Sequence, residues 1–148
     1  MATLETLRGA YDHARQRLSA MAIATPDLDA RLLVQVACGI DHATLIAEGA
    51  RPLLMHEAVA LESMLARRLG HEPVSRILGT REFYGRSFVV TPDVLDPRAD
   101  TETLIDLVLD LLPADSAARI ADLGSGSGAI IATLLAERSL ARGTAVDL

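Results

Sequence analysis

The stretch from Ile120 to Ala129 constrains the fold more than any other part of the 148-residue chain. An apolar run that ends near an acid is followed by a turn with glycine at every second position, and then by a second apolar run. The glycines of this turn are Gly124, Gly126 and Gly128. Residues 119–123 predict a short buried strand, and residues 129–136 predict an apolar helix. Because glycine lets the backbone approach a ligand closely and a helix start offers free N–H groups, the pattern predicts the mononucleotide-binding half of a doubly wound α/β sheet.

Two classes of ligand fit the glycine spacing. Gly124, Gly126 and Ala129 match the dinucleotide fingerprint, which keeps a nicotinamide cofactor open. Asp122 lies two residues before the first glycine, however, and a carboxylate there would repel a pyrophosphate. The same carboxylate would attract the sulfonium and ammonium groups of S-adenosylmethionine. A Walker phosphate loop is excluded because no Gly-Lys-Ser/Thr follows the turn.

A second acid ends the next predicted strand, residues 143–147. Asp147 comes 19 residues after Gly128, close to the ~20 expected for the acid that binds the hydroxyls of a ribose. The alternative is a solvated acid at a strand end. With the turn and Asp122 in register, the sequence favours the ligand role. The candidate cofactor-binding residues are Asp122, Gly124, Ser125, Gly126, Ser127, Gly128 and Asp147.

Composition argues against several other classes of protein. The net charge of −6 argues against sequence-independent binding to a nucleic-acid backbone, which needs clustered Lys and Arg. The single cysteine, Cys38, fits a reducing compartment, and its apolar neighbours indicate a buried, unreactive thiol. The four histidines lack the spacing of metal ligands. We therefore expect no metal site. Because no apolar run approaches the ~20 residues of a membrane span and the N-terminus is unlike a secretory signal, we expect a cytoplasmic protein.

Residues 1–75 predict a small helical bundle. Leu4 opens an apolar stripe that runs to about residue 22, and Thr25 followed by Pro26 is typical of a second helix start with a capping hydroxyl. Two further helices are predicted near residues 43–48 and 53–69. Apolar stripes of this kind have one another to pack against. The residues alone indicate a stability appendage or a domain that docks a partner.

Residues 76–99 predict a β-hairpin linker, with Gly85-Arg86 at its turn. A helix follows, capped by Asp100 or Thr101, and it opens the predicted α/β part at residues 100–148. The apolar face expected for this helix consists of Leu104, Leu107, Val108 and Leu111. Arg98 and Glu102 could form a wall of the cofactor site, or they could pair with each other.

The order of these motifs resembles the release-factor glutamine methyltransferase family, also called the HemK family. The stretches that carry the resemblance are Gly70-His71-Glu72-Pro73, Ile77-Leu78-Gly79, Glu82-Phe83-Tyr84-Gly85, Pro97-Arg98-Ala99-Asp100-Thr101-Glu102 and Asp122 to Ala129. The glycine turn alone would indicate only some class I methyltransferase, whereas the Phe-Tyr-Gly and Pro-Arg-x-x-Thr-Glu stretches are more specific. The resemblance covers residues 70–148 by motif and residues 1–70 by architecture only.

The resemblance implies a helical N-terminal domain that receives a release factor, a hairpin linker, and a class I (Rossmann-like) methyltransferase domain. Members of the family use S-adenosylmethionine to methylate the glutamine side-chain amide of the Gly-Gly-Gln motif in peptide chain release factors, a reaction of translation termination. By the same resemblance, Gly124 to Gly128 line the methionine part of the cofactor and Asp147 binds its ribose.

The family orients the substrate amide with an Asn-Pro-Pro-Tyr loop, and this motif is absent from the 148 residues. No catalytic residue is therefore assigned in this chain, and we expect the chain alone to be inactive. We also expect the methyltransferase domain to stop after its second strand, with an open apolar flank that favours self-association. Two other hypotheses stay open: a nicotinamide-dependent oxidoreductase and a non-enzymatic helical interaction module.

Overall fold

The computed structural model describes residues 5–147, and the chain divides into two compact units between Leu78 and Gly79. The first unit is helical. Its helices are α1 (Leu7–Ala20), α2 (Pro26–Cys38), α3 (His42–Ala47), α4 (Met55–Leu69) and α5 (Val74–Leu78). The second unit combines strands and helices. Its elements are β1 (Thr80–Phe83), β2 (Arg86–Val89), a 3-10 helix (Ala99–Thr101), α6 (Glu102–Leu111), β3 (Arg119–Leu123), α7 (Ala129–Glu137) and β4 (Arg142–Val146).

The predicted helical bundle is confirmed, and its core is aliphatic. Apolar residues at steps of three and four on α1, α2 and α4 bury their side chains against one another. The fully buried members are Leu7, Ala10, Ala14, Leu18, Ala30, Leu33, Val34, Leu61 and Leu65. Leu4, with which the predicted stripe begins, lies outside the described residues. The periodicity thus locates the helices of the bundle but only part of their buried face, because Leu28 and Val36, which the sequence places on the apolar side of α2, are 43% and 48% exposed.

Side-chain caps fix two of the helix starts. Thr6 precedes α1, and its Oγ1 accepts a hydrogen bond from the Gly9 N–H at 3.1 Å. Asp41 precedes α3, and its carboxylate accepts from the Thr44 N–H at 2.8 Å. These bonds satisfy N–H groups that have no partner inside the helix. The hydrogen bond from Thr44 also lowers the pKa of the Asp41 carboxyl.

The cap predicted for α2 has a different role. Helix α2 begins at Pro26 as expected, but the Thr25 side chain makes no capping bond. Its hydroxyl instead donates to the buried Asp29 carboxylate at 2.8 Å. Asp29 also accepts a hydrogen bond from Arg68 of α4 at 2.7 Å. A buried carboxylate needs more than one donor to offset its lost hydration, and Thr25 supplies the second.

The hairpin is confirmed, but its turn is shifted from the predicted position. Strands β1 and β2 pair antiparallel with Phe83 opposite Arg86, so the turn residues are Tyr84 and Gly85. The prediction of a Gly85-Arg86 turn is wrong by one residue. Tyr84 and Gly85 have φ values of 51° and 69°, which is the signature of a two-residue type I′ turn. This turn type matches the right-handed twist of the flanking strands.

Helix α6 buries a different face from the predicted one. Ile105 is fully buried, whereas Leu104, Leu107 and Leu111 are 44%, 56% and 73% exposed. The buried cluster of the second unit consists of Phe83, Ile105, Ala129 and Leu134, and Val108, Leu109, Ile120 and Ile130 pack against it. Of the predicted face, only Val108 contacts this cluster. Apolar residues surround α6 on several sides, and contact with the hairpin and α7 decides which of them is covered.

The expected cap of α6 is also absent. The 3-10 helix Ala99–Thr101 runs directly into α6, and neither helix start carries a side-chain capping bond. Thr101 already has helical backbone angles, so the Glu102 N–H can donate to the Ala99 and Asp100 carbonyls. A helix that continues from a 3-10 turn needs no separate cap.

Strands β3 and β4 form the parallel pair that the sequence predicts. Their register places Arg119 opposite Arg142 and Leu123 opposite Val146. The expectation of a buried strand is wrong, because half-buried and exposed residues alternate along β3 and none is fully buried. Ile120 faces the buried cluster, whereas Leu123 is 79% exposed. One face of this sheet is covered by α7, and the other carries exposed apolar side chains.

Candidate functional site

The candidate cofactor-binding residues meet at one edge of the parallel sheet. Asp122 stands opposite Ala145 and Leu123 opposite Val146, so the register places Asp147 level with Gly124. Neighbouring strands lie about 4.8 Å apart, so the two acids and the start of the turn share the carboxyl edge. Ligands of open α/β sheets bind outside this edge.

Backbone hydrogen bonds tie the glycine turn to the end of β4. The N–H groups of Gly124 and Ser125 both donate to the Val146 carbonyl, at 2.8 Å and 3.2 Å. The turn then closes on itself, because the Gly128 N–H donates to the Ser125 carbonyl at 2.8 Å. The shape of the turn therefore depends on the register of the strand that leads to Asp147.

All three glycines of the turn have left-handed backbone angles. Their φ values are 76° at Gly124, 53° at Gly126 and 72° at Gly128. A β-carbon added at Gly124 or Gly128 would meet no heavy atom within 4 Å. Glycine is therefore required there by the backbone conformation and leaves open space beside the turn. Ser125 and Ser127, which alternate with the glycines, are half-buried.

Helix α7 starts directly at the end of the turn. Its first residue is Ala129, and the preceding Gly128 provides no side-chain cap. The first intrahelical bond runs from the Ala132 N–H to the Gly128 carbonyl at 2.9 Å. The N–H groups ahead of it carry the positive end of the helix dipole toward the carboxyl edge of the sheet.

Asp122 presents an unsatisfied acceptor at this edge. Its Oδ2 is buried and has no hydrogen-bond partner among the described residues. A buried carboxylate oxygen without a donor is costly, so a cationic or hydrogen-bonding ligand would stabilise it. This observation fits S-adenosylmethionine, whose ammonium group is a donor, and disfavours a pyrophosphate. Asp147 is exposed at the same edge, where a ribose hydroxyl could reach it.

The sequence did not identify Val94 as a residue of this site. Its Cγ1 lies 3.8 Å from the position that a β-carbon on Gly126 would occupy. Val94 belongs to the extended segment between β2 and α6, and it places an apolar side chain beside the turn. Pro92 and Pro97, which flank Val94, indicate an extended chain. The local sequence pattern does not indicate which residues this segment contacts.

Glu102 and Arg98 do not pair as one of the hypotheses suggested. Glu102 accepts a hydrogen bond from the Tyr84 N–H at 2.9 Å, and within residues 5–147 no Arg98–Glu102 ion pair is formed. Arg98 and Asp100 are exposed. Glu102 therefore holds the hairpin turn, and the turn of residues 124–128 is bordered by Val94 instead.

The hairpin turn is held at several points. The Tyr84 hydroxyl donates to Asp106 at 2.8 Å, and this hydrogen bond, followed by burial, raises the pKa of Tyr84. Arg86 donates to the Tyr84 carbonyl at 3.0 Å and to Glu137 at 2.7 Å. Glu137 ends α7, so the hairpin is bonded to the helix that begins at the glycine turn.

Other candidate chemistry is weaker. Residues 5–147 contain no group of three His, Cys, Asp or Glu side chains that could hold a metal ion. Burial raises the pKa of the half-buried Cys38 thiol, which fits an unreactive cysteine. His13 pairs with Glu62 at 2.9 Å and has a local structural role. Among residues 5–147, none of the helices combines the length and the apolar character of a membrane span.

Comparison with known proteins identifies relatives across both units. The family described as PrmC N-terminal domain matches residues 9–79. A release factor glutamine methyltransferase of Koribacter versatilis is 41% identical over 143 residues, which cover 97% of this chain and 51% of the relative. The protein of the same name from Caulobacter vibrioides is 38% identical over 142 residues, or 96% of this chain and 49% of the relative.

A third relative is the release factor glutamine methyltransferase of Cereibacter sphaeroides, 46% identical over 132 residues. These residues cover 89% of this chain and 46% of that protein. The chain thus spans about half the length of the curated relatives it matches. Over that span, the chain is similar to release factor glutamine methyltransferases, and residues 9–79 match the PrmC N-terminal domain family.

Proposed function

We propose that the complete protein is an S-adenosylmethionine-dependent methyltransferase that modifies the glutamine side-chain amide of the Gly-Gly-Gln motif in peptide chain release factors. One observation carries the proposal. The 41% identity to a relative of that name extends over 143 residues, a span that includes both the helical unit and the acid–glycine turn. The proposed substrate acts in translation termination, so the proposed location is the cytoplasm.

The candidate site would hold the methyl donor by charge and by backbone hydrogen bonds. The Asp122 carboxylate, with its unsatisfied Oδ2, would bind the ammonium group, and the turn from Gly124 to Gly128 would line the methionine part. Asp147 would accept hydrogen bonds from the ribose hydroxyls. Bound S-adenosylmethionine supplies an electrophilic methyl group. Val94 would exclude water beside the turn, since its methyl group lies against Gly126.

The reaction also requires orientation of the substrate. An amide nitrogen is a weak nucleophile because its lone pair is delocalised into the carbonyl, so it must be held in line with the methyl–sulfur bond. The Asn-Pro-Pro-Tyr loop that does this in the family does not occur in the 148 residues. We therefore propose that the 148-residue chain alone does not transfer a methyl group to a release factor.

We propose that the three segments predicted from the sequence have different roles. Residues 1–75 dock the release factor, residues 76–99 link the two parts, and residues 100–148 open a class I (Rossmann-like) methyltransferase domain. The parallel strands joined through α7, with the glycine turn at their carboxyl edge, support this assignment of the last segment.

Titration calorimetry of the complete protein tests the ligand. We expect S-adenosylmethionine to bind and NAD to give no heat of binding. Asp122→Asn keeps the shape of the side chain and removes its charge, so it should weaken S-adenosylmethionine binding about tenfold, or about 1.4 kcal/mol. Asp115→Asn, a change at an exposed loop acid, is the matched control and should bind as wild type.

The outcomes separate the competing functions. NAD binding without S-adenosylmethionine binding would overturn the methyltransferase proposal in favour of the oxidoreductase, whose glycine fingerprint the turn also meets. Binding of neither ligand, together with capture of a release factor, would favour the non-enzymatic interaction module.

A further inference from the structure

The helical unit carries a groove of about 430 Å³ between α1, α2 and α3. Its lining combines apolar side chains with basic ones. The lining residues that matter here are Tyr11, Leu28, Arg31, His42, Leu45 and Ile46. The backbone on one side is fixed, because the Arg8 N–H at the start of α1 donates to the Gly49 carbonyl at 2.9 Å.

The floor of the groove, formed by Leu28, Leu45 and Ile46, exposes apolar surface to solvent. Leu45 of α3 is 7% exposed and anchors that helix in the bundle core. Its neighbour Ile46 is 70% exposed, and Leu28 of α2 is 43% exposed. Exposed large apolar side chains gathered in one concave place mark an interaction site more often than scattered ones do.

The charges around the groove are unbalanced. The one acid of its lining, Asp27, accepts a hydrogen bond from the Tyr11 hydroxyl at 3.3 Å and lies 3.8 Å from Arg15. Arg8 pairs with Asp12 at 3.2 Å. Arg31 forms no ion pair with any residue of the described range 5–147, and it stands beside the exposed apolar floor.

The chain as a whole has a net charge of −6, but this groove combines an unpaired guanidinium with an apolar floor. Such a groove favours a partner that presents an acidic and an apolar side chain. A carboxylate would pair with Arg31, and His42 would add to the attraction when protonated. An apolar side chain next to that carboxylate would cover Leu28 and Ile46. Nucleic acid fits less well, because the floor offers apolar contact without clustered cations.

We propose that this groove docks a protein segment in which a large apolar side chain is flanked by Asp or Glu. The inference rests on the proposed function in one respect: the segment belongs to the release factor that the enzyme modifies. The apolar side chain sits between Leu28 and Ile46, and the acid pairs with Arg31.

Binding of the whole chain to a purified release factor on a biosensor surface tests the groove. Ile46→Asp puts a charge on the apolar floor and should weaken binding at least tenfold. Val59→Asp is the matched control, because Val59 is 63% exposed on α4 and does not line the groove. It should change binding less than twofold. Because both changes are at exposed positions, circular dichroism should show the same helix content and melting temperature for both variants.

A charge series tests the acidic part of the partner. Arg31→Gln should weaken binding several-fold, and Arg31→Glu should weaken it further and flatten its dependence on salt. The proposal is overturned if the release factor binds wild type and Ile46→Asp equally, or if wild type binds S-adenosylmethionine but no release factor. A chain that binds release factor through the groove but binds NAD at its turn would contradict the methyltransferase proposal and leave the groove proposal intact.

Discussion

At the scale of single residues, the least expected feature is the backbone of Tyr84. A tyrosine with φ of 51° is in a region that L-residues other than Asn and Asp rarely adopt. Its N–H is bound by Glu102 and its carbonyl by Arg86, so both peptide groups next to it are fixed. The Phe-Tyr-Gly motif predicts a hairpin but not the two turn residues, because tyrosine is unusual at the first position of a type I′ turn.

The hydroxyl of Tyr84 gives a prediction about titration. We expect Asp106→Asn to lower the pKa of Tyr84 toward the ordinary tyrosine value, because the carboxylate that accepts its hydrogen bond and raises that pKa is gone. Ultraviolet absorbance of tyrosinate measures this directly, since Tyr11 is the other tyrosine of the chain.

Asp27→Asn serves as the control for that titration. Burial and then Asp27 raise the pKa of Tyr11, so this variant should move only the Tyr11 step. A raised folded-state pKa stabilises the fold below the unfolded value of about 10, and the gain is lost as pH rises through the folded pKa. An Asp106→Asn curve that matches wild type would contradict the assigned hydrogen bond.

At the scale of elements, α6 shows how far a sequence pattern can specify packing. Its position and apolar character follow from the sequence, but its buried face does not. Leu104 and Leu107 satisfy helical spacing as well as Ile105 does, and packing against Phe83 of the hairpin and against α7 selects Ile105. Strand β3 is simpler, since its predicted bounds of residues 119–123 agree with the structure.

The start of α4 gives a prediction about acid stability. The buried Glu57 accepts hydrogen bonds from Arg51 and the Leu54 N–H, both at 2.8 Å. Burial alone would raise its pKa, but these partners outweigh burial and lower it. A lowered folded-state pKa stabilises the fold above the unfolded value, and this stability is lost as pH falls through the folded pKa.

We therefore expect Glu57→Gln to cost about 1–3 kcal/mol at pH 7 and to cost less below pH 4. Urea unfolding followed by circular dichroism at both pH values measures the difference. Glu48→Gln, at an exposed acid beyond the end of α3, is the control and should stay within about 0.5 kcal/mol. An equal cost at both pH values would show that the charge of Glu57 does not matter.

The contact of α7 with β4 gives a prediction about packing. A β-carbon at Gly143 would lie 2.7 Å from Ile131 Cδ1 and 2.9 Å from Leu135 Cδ1. Gly143→Ala should therefore destabilise the second unit by about 1–3 kcal/mol, because both side chains must move. Thermal unfolding measures the cost, and Thr144→Ala at the next, exposed position is the control. The double variant Gly143→Ala with Ile131→Ala should lose less than the sum of the two single changes, and strict additivity would contradict the close contact.

For the chain as a whole, the sequence predicts the order of the helices and strands more fully than the tertiary contacts between them. Helical periodicity locates the bundle, and the acid–glycine turn locates the parallel strands and brings Asp122 and Asp147 to one edge. Val94 beside Gly126 could not be predicted, because a loop contact between distant residues leaves no local pattern. The groove of the helical unit also depends on how three helices pack, which periodicity does not specify.

The outward face of the parallel sheet gives a prediction about association. Leu123 and Val146 are paired in register and are 79% and 50% exposed. We expect the 148-residue chain to self-associate as its concentration and the salt concentration rise, because apolar contact between copies covers this face. Size-exclusion chromatography with light scattering measures the mass, and Leu123→Ser should shift it toward the monomer. A monomer for wild type at all concentrations would contradict the expectation.

The carbonyl of Val146 couples the conformation of the glycine turn to the position of β4. Two successive amides of the turn, at Gly124 and Ser125, depend on this one acceptor. A shift of β4 by a single residue would move this acceptor and release both amides together. The hydrogen-exchange rates of these two amides should therefore rise or fall together, even under conditions in which the helices stay folded.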